Sequence, residues 1–450
     1  MCYNEREFIV EVHFRMDQLT IERQVPVIAQ YDAVVCGGGP AGWTAAISAA
    51  RNGCRTALIE KMSYLGGAPT AALVDPISGC YHKGKRVLGG IAWEFIQRLV
   101  DAGAAQIELP KGHVSFDPEY YKLLAQRMAL EAGVELYTNT VVAGCQLADG
   151  CVTHVLIESK DGLQALAAGT VIDATGDGLL CRRAGVPMQV SADGMQPMSM
   201  CFLLRNVDVT TDLLRDHIHH TGLHGQSKHL GIYHDLQRLA EQGEDVPQFG
   251  GPWFNSTMQQ DLICVNMTRA AADAADRAQL TQAECRMRED AYKLVALLKK
   301  LYPEFANATI AEIAAQGGIR ETYHIRGLYT MSGADILNGV QCADGVAFCS
   351  HPVDIHSARD NSQTAQYFDV PCPVSYRVMV AEGFDNLLAA GRCVSCVDEA
   401  YASMRVQGTC MAIGEAAGVA AAMRRETGCA VTQVDTDALR ARLQKQGAIL

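Results

Sequence analysis

Residues 31–60, YDAVVCGGGPAGWTAAISAARNGCRTALIE, decide the fold. Ala33-Val34-Val35-Cys36 is a short, β-branched apolar run that ends on glycine, as in a strand buried on both faces. Ala41 to Asn52 carries small residues at helical spacing, and Gly53 stands where a glycine terminates a helix. Thr56 to Ile59 is a second buried strand, closing on Glu60. Together they make one βαβ unit whose turn, Gly37-Gly38-Gly39-Pro40-Ala41-Gly42, fits G-x-G-x-x-G. In that pattern Gly37 permits the tight turn, Gly39 lets a pyrophosphate approach the backbone, and Gly42 allows close helix–strand packing. The helix N-terminus offers free N–H groups and a positive dipole end to the phosphates. Glu60 ends the second strand, where a carboxylate takes the ribose hydroxyls of a dinucleotide.

Working outward, helices are predicted at about Ile91–Ala102 and Pro118–Ala132. Strands are predicted at Val134–Tyr137, Val141–Leu147, Cys151–Glu158 and Val171–Ala174, with Asp149-Gly150 as a hairpin turn. From about Ser191 to Tyr329 the chain is polar and rich in Gln and His, with two long helical patterns at Leu230–Glu241 and Thr281–Leu301. The dinucleotide texture returns with a strand at Asn386–Ala390, a small-residue helix from about Gly408 to Arg424, and an amphipathic helix at Asp435–Gln446. Before the fingerprint, Phe8 to Phe14 alternate apolar and polar like a half-exposed strand. The expected fold class is α/β: a Rossmann-like domain with a central parallel sheet, helices and a small antiparallel sheet, plus an inserted α+β substrate or cap domain. The expected boundaries are an edge hairpin at 1–25, the nucleotide domain at 26–195 and 330–450, and the cap at 196–329.

Composition narrows the function. With 38 Lys+Arg against 50 Asp+Glu the net charge is −12, and 49% of the 450 residues are apolar. This is a globular composition, and the acidic balance disfavours nucleic acid or an anionic membrane as partner. No run of about 18 uncharged apolar residues occurs, so no transmembrane helix is expected. The 17 cysteines are scattered and odd in number, which reads as free thiols in a reducing cytoplasm. The expected partners are a small-molecule substrate and an unidentified electron donor or acceptor, and a homo-oligomer is compatible with all of this.

A dinucleotide in this fold is NAD or FAD, and FAD is gripped by distant segments as well. Two are present: Val171-Ile172-Asp173-Ala174-Thr175-Gly176-Asp177, and Leu387-Leu388-Ala389-Ala390-Gly391-Arg392. A late helix starting at Gly408-Thr409 would aim its dipole at the pyrimidine end of a flavin, where negative charge builds on reduction. These segments, with Leu65-Gly66-Gly67 and Ala390-Gly391-Arg392-Cys393, resemble the FAD-dependent oxidoreductases among the glutathione-reductase-like flavoproteins, in particular a poorly characterised bacterial branch. The resemblance runs from about Val25 to Ala422 and includes Arg320-Glu321, Val353-Asp354-Ile355-His356, Tyr376-Arg377 and Ala402-Ser403-Met404-Arg405-Val406. It implies one non-covalent FAD, with Val141 or Val142 meeting the adenine through its backbone and Gly66-Gly67 beside the flavin or pyrophosphate. The cofactor set is then Gly37, Gly39, Pro40, Ala41, Gly42, Glu60, Lys61, Gly66, Gly67, Ala68, Val142, Ala174, Gly176, Asp177, Gly391, Arg392, Gly408 and Thr409. The chain departs from the family pattern at Tyr323 and His324, where arginines are common, and at Asp398 and Gly408.

A flavin performs the redox step itself, and the protein supplies a substrate clamp and a proton carrier. Arg320 and Arg377 are the candidate clamps for a carboxylate or an enolate-like charge. His324, His351 and His356 are candidate proton carriers, with His356 first because Val-Asp-Ile-His belongs to the family match. The expected reaction is hydride transfer between flavin N5 and a carbon of a small organic substrate, by alcohol or amine dehydrogenation or by reduction of an activated double bond. Cys393 and Cys396 form a CxxC that would suit a thiol–disulfide flavoreductase, and an FAD electron-transfer subunit is the other alternative. The run His217 to His234 invites a metal, but Gly222 and Gly225 break the helix, so no metal site is expected. Of the adjacent Asp398 and Glu399, only one could reach a ribitol hydroxyl.

Overall fold

Val34, Val35 and Cys36 are fully buried because their strand lies in the middle of a sheet. The computed structural model describes residues 22–109, 112–190, 195–211, 213–214, 229–397 and 399–450. The predicted strand at Phe8–Phe14, the histidines from His217 to His224, and Asp398 lie outside the described residues. In spatial order the sheet runs Glu135–Tyr137, Thr56–Ile59, Val27–Cys36, Gly162–Asp173, Cys151–Ser159 and Val141–Ala148, and Leu387–Ala389 also pairs with Gly162–Asp173. Its first four strands are parallel, and the last two turn back antiparallel. Asp149 (φ 48°) and Gly150 (φ 74°) make the turn between the antiparallel strands. Two successive positive φ values are what a two-residue hairpin requires, and Asp-Gly adopts them readily.

The parallel register is what matters for function. Cys36 sits beside Ile59 and Asp173, and Asp173 sits beside Ala389. The loops opened by Gly37, Glu60, Ala174 and Ala390 therefore emerge together at the carboxyl edge of the sheet, where open α/β sheets bind their ligands.

Helix Pro40–Arg51 packs directly on helix Gln407–Thr427. A Cβ on Gly414 would stand 2.1 Å from the Ala41 carbonyl oxygen, and one on Gly418 would stand 2.4 Å from that of Ala45. Thr44 Oγ1 donates to the Met411 carbonyl at 3.0 Å and Ser48 Oγ to that of Glu415 at 2.7 Å. The small residues of both helices thus permit near backbone contact.

The middle segment contains its own antiparallel sheet, ordered Phe249–Ser256, Leu262–Thr268, Phe202–Arg205, Thr309–Ile313. Its apolar cluster includes Phe202, Phe254, Val265, Leu294 and Phe305. Helix Arg277–Leu301 begins four residues before the predicted start at Thr281. Its first turn has no apolar periodicity, but Asp276 caps it by accepting from Gln279 N at 2.8 Å.

Candidate active site

The fingerprint turn is fixed by contacts that only glycine allows. Gly37 has φ +100°, and a Cβ there would lie 2.5 Å from the Ala174 carbonyl oxygen. A Cβ on Gly42 would lie 1.7 Å from the Gly37 oxygen. Gly39 differs: its Cβ would meet nothing nearer than Gly67 Cα, at 4.0 Å. The space beside Gly39 is therefore open, and Pro40 and Ala41 follow it into the helix. The N-cap residues Gly39 and Val406 provide no side-chain cap, so the leading N–H groups of both long helices lack the usual side-chain acceptor.

Glu60 is buried at the end of its strand, with Oε2 accepting from Gly38 N at 2.7 Å and Oε1 from Met62 N at 2.8 Å. Burial pushes its carboxyl above the usual carboxylate range. Lys61 is exposed beside it. Gly66 N donates to the Gly38 oxygen at 2.8 Å, which joins the Gly66-Gly67-Ala68 loop to the fingerprint. On the other side, Asp177 Oδ1 accepts from Arg392 Nη2 at 2.6 Å and from Thr322 Oγ1 at 2.9 Å, over Gly176. Ala174 N donates to the Cys36 oxygen at 2.8 Å, and Gly391 turns with φ +84° against Ala41. Gly408 N donates to the Ser78 oxygen at 3.0 Å and Thr409 Oγ1 to that of Phe348 at 3.1 Å. The Val142 carbonyl accepts from the Arg183 guanidinium. Uncapped helix ends, open space at Gly39 and a buried acid at the second strand end fit a dinucleotide.

Next to the N-terminus of helix Gln407–Thr427 lies a second constellation, rich in buried cations. Arg269 Nη2 lies 2.9 Å from His356 Nδ1, and His356 Nε2 lies 2.9 Å from Asp354 Oδ2. A guanidinium only donates, so Nδ1 is the acceptor, and the His356 proton sits on Nε2, directed at Asp354. Gln363 Nε2 donates to the other Asp354 oxygen at 2.7 Å. Arg405 Nη2 donates to the Asp354 carbonyl at 2.9 Å and lies 3.5 Å from Oδ2. Arg320 Nη1 donates to the Pro197 carbonyl at 2.7 Å and to Ser199 Oγ at 2.9 Å. Gln196 ties the group together: Oε1 accepts from His356 N at 3.0 Å, Nε2 donates to Tyr401 Oη at 2.9 Å, and its backbone N donates to Glu321 Oε2 at 3.0 Å.

The electrostatics follow from crowding. Burial, then the neighbouring Arg405 and Arg269, bring Arg320 down to about 9. Burial and then Arg320 press the His356 imidazole down to about 3. Both nitrogens of His356 are engaged, so neither is free to carry a proton for substrate. The arrangement moves it from the proton-carrier role to that of positioning Arg269. His351 is better suited. Its Nδ1 is 2.8 Å from the Pro352 carbonyl, which fixes the proton there and leaves Nε2 as the basic nitrogen, and burial keeps the ring neutral.

Arg377 is not brought to this group. Its side chain is 51% exposed, with Nε 3.1 Å from Asp344 Oδ2 and the guanidinium over the Tyr329 ring. Arg377 is half exposed while Asp344 is buried, and Ser375 Oγ also donates to Asp344 at 2.6 Å, so the carboxylate keeps a partner without the arginine. Arg377→Gln should leave flavin content unchanged and cost no more than about 1 kcal/mol of stability, measured by urea unfolding.

His324 is 1% exposed, with Nδ1 3.3 Å from Cys396 Sγ and Nε2 3.9 Å from Glu321 Oε1. Burial alone would lower its pKa, but the Cys396 sulfur and the Glu321 carboxylate outweigh it and carry it up to about 10. Stability from this imidazolium is fully present below about 6.5, the unfolded value, and is lost as pH rises through the folded one. Replacing His324 with Gln should therefore flatten the fall in melting temperature between about pH 6.5 and pH 10 relative to the native chain. An unchanged slope would show that His324 is neutral. Cys393 Sγ faces the Asp173 carbonyl at 3.6 Å, so the two sulfurs of the CxxC have separate partners. The described cysteines are all free.

Sequence reasoning did not single out Arg269, Asp354, Arg405 or Gln196 as site residues. Asp354 and Arg405 lay within quoted motifs. Arg269 carried no local signal, since it follows a strand of the middle segment and only the tertiary fold brings it to His356. Gly250 makes room for it: a Cβ there would lie 2.1 Å from Arg269 Nη2. Among the described residues no group of three or more His, Cys, Asp or Glu is arranged to hold a metal, and no helix is long and apolar enough to cross a membrane.

Known proteins resemble this chain at several levels. The family model described as FAD dependent oxidoreductase matches residues 32–443. Digeranylgeranylglycerophospholipid reductase 2 of Methanopyrus kandleri is 30% identical over 194 residues, 42% of this chain and 48% of that protein. The soluble pyridine nucleotide transhydrogenase of Chromohalobacter salexigens is 26% identical over 160 residues, 33% of this chain and 31% of that one. The chain thus spans about half the length or less of these curated relatives. A flavoprotein/dehydrogenase of Cytophaga hutchinsonii shares the fold, with TM-score 0.50 and 14% identity over 93% of this chain and 86% of that one.

Proposed function

The chain belongs to the FAD dependent oxidoreductase family, and on that footing we propose that it transfers a hydride between flavin N5 and a carbon of a small organic substrate bound against Arg320 and Arg405. The observation that carries this reading is the buried cation group around Arg320, Arg405 and Arg269 beside the uncapped start of helix Gln407–Thr427. FAD, when bound, supplies the two-electron acceptor or donor. The chain's own residues do the rest. Gly37, Gly39 and Gly42 admit the pyrophosphate, Glu60 holds a ribose, and Asp177 and Arg392 line the opposite wall. The guanidiniums hold the substrate and stabilise negative charge that grows on its oxygen as a hydride is added to a conjugated carbon. His351 Nε2 takes the proton when the substrate is oxidised. His356 and Asp354 keep Arg269 and Arg405 in place.

Reduction of an activated double bond suits the arginines best, because an enolate-like oxygen needs cationic partners. The reductase relative is consistent with that direction. Residues 196–329 would act as the cap over the substrate, with the FAD domain built from 26–195 and 330–450. The free cysteines favour a reducing, cytoplasmic setting.

The test is anaerobic mixing of FAD-loaded protein with a metabolite panel, followed by flavin absorbance. At least one small organic compound should bleach the visible band of the oxidised flavin by reducing it or, with pre-reduced enzyme, restore that band by accepting the hydride. Response only to thiols or to a protein partner would overturn the reading.

A further inference from the structure

Resting on that reading, we propose that the substrate is an organic acid, held by its carboxylate in the space bordered by Arg269, Arg320 and Arg405. The arginines carry uncompensated charge. Three guanidiniums lie close enough to act on one another; Arg269 is 1% exposed, and Arg320 and Arg405 are half-buried. Asp354 is the carboxylate in direct contact with this group. Glu321 bears on Arg405 as well but lies 3.9 Å from the His324 imidazolium. Asp360 bears on Arg269 from an exposed position, so three arginines and His324 face three acids. The Asp75 carboxyl is pushed up by burial and offers no counter-charge. The cluster therefore holds more positive charge than its own acids neutralise, and a buried cation without a partner is costly.

The unmet donors point the same way. Arg269 Nε and Arg405 Nη1 are buried with no hydrogen-bond partner. Native proteins rarely leave buried donors unpaired, and such atoms call for an explanation by a bound group. A carboxylate answers both needs: it carries the missing charge and accepts several N–H bonds in the plane a guanidinium presents. An alcohol or amine substrate would supply neither, and a substrate amine would add charge of the wrong sign.

The experiment titrates FAD-loaded full-length protein with succinate, and separately with uncharged succinamide, following the flavin difference spectrum at constant ionic strength. Succinate should perturb the spectrum saturably and succinamide at least tenfold more weakly. Arg320→Met should weaken succinate at least tenfold while flavin content stays normal. Should Arg320→Met fail to fold, Arg405→Lys tests the same point, since it keeps the charge and loses the planar contact. Equal binding of succinate and succinamide, or no saturable response to succinate, would overturn the carboxylate assignment. That failure is distinct from failure of the redox reading. If uncharged compounds bleach the flavin and the arginine variants slow them, the site stands and only the substrate class falls. If the variants leave bleaching unchanged, the site itself is misplaced.

Discussion

Gly39→Ala should fold normally and lose FAD. Gly39 has φ −69° and ψ −176°, an extended conformation that alanine adopts without strain. Its added Cβ would touch no protein atom closer than 4.0 Å. Apo-protein stability should therefore change by less than about 0.5 kcal/mol, or rise slightly through the stiffer unfolded chain. The methyl group projects into the space where the pyrophosphate must lie against the backbone, so FAD affinity should drop by about 100-fold or more, some 2.7 kcal/mol. Gly42→Ala is the contrasting variant. Its Cβ would meet the Gly37 oxygen at 1.7 Å, so the helix must move off the turn and stability should suffer as well. Isothermal titration of FAD with parallel urea unfolding separates the two. Normal FAD binding by Gly39→Ala would place the pyrophosphate elsewhere.

Asp354→Asn should destabilise the chain by about 3–5 kcal/mol, because it strips the counter-charge from a buried arginine group. Burial alone would raise the Asp354 carboxyl. The hydrogen bond donated by His356 and the Arg405 guanidinium overcome that and hold it well below the usual range. Its contribution is therefore present above about 3.9, the unfolded value, and is lost as pH falls through the folded one. His356, held down at about 3, acts in the same direction: the unfolded chain gains its proton below about 6.5 while the folded chain does not. The native chain should thus lose stability steadily on acidification, and Asp354→Asn should show a lower plateau with a shallower slope below about pH 4. Urea midpoints between pH 3 and pH 8 give the comparison. A plateau equal to the native one would mean that the arginines are neutralised by another group.

The dinucleotide half of the molecule was legible because its signals are local. Three glycines, an acid at the end of a strand and a strand–turn–helix order all fall within residues 31–60, and each has one steric or electrostatic reason. The Asp149-Gly150 turn was legible for the same reason. The arginine group was not, because it is assembled from segments far apart in the chain. Arg269 reaches His356 across 87 positions, and Gln196 reaches Glu321 across 125. Nothing in the stretch around Arg269 marks it as different from an arginine on a surface strand. Arg377 illustrates the converse. It lies in a motif shared with the family, yet its side chain turns to Asp344 and solvent, since a motif fixes a backbone position and not where a long side chain points. His356 was singled out as a proton carrier from its motif, and only the position of Arg269 reveals that both its nitrogens are occupied.

If Arg320 and Arg405 border the reacting edge of the flavin, a crystal structure of the FAD-loaded chain should show the pyrophosphate against Gly39 and the ribose at Glu60. The isoalloxazine ring should pack at the start of helix Gln407–Thr427, with Arg320, Arg405 and His351 facing its N5 edge. A ring whose N5 edge faces solvent or the Arg377–Asp344 pair, with protein between it and Arg320, would contradict this placement.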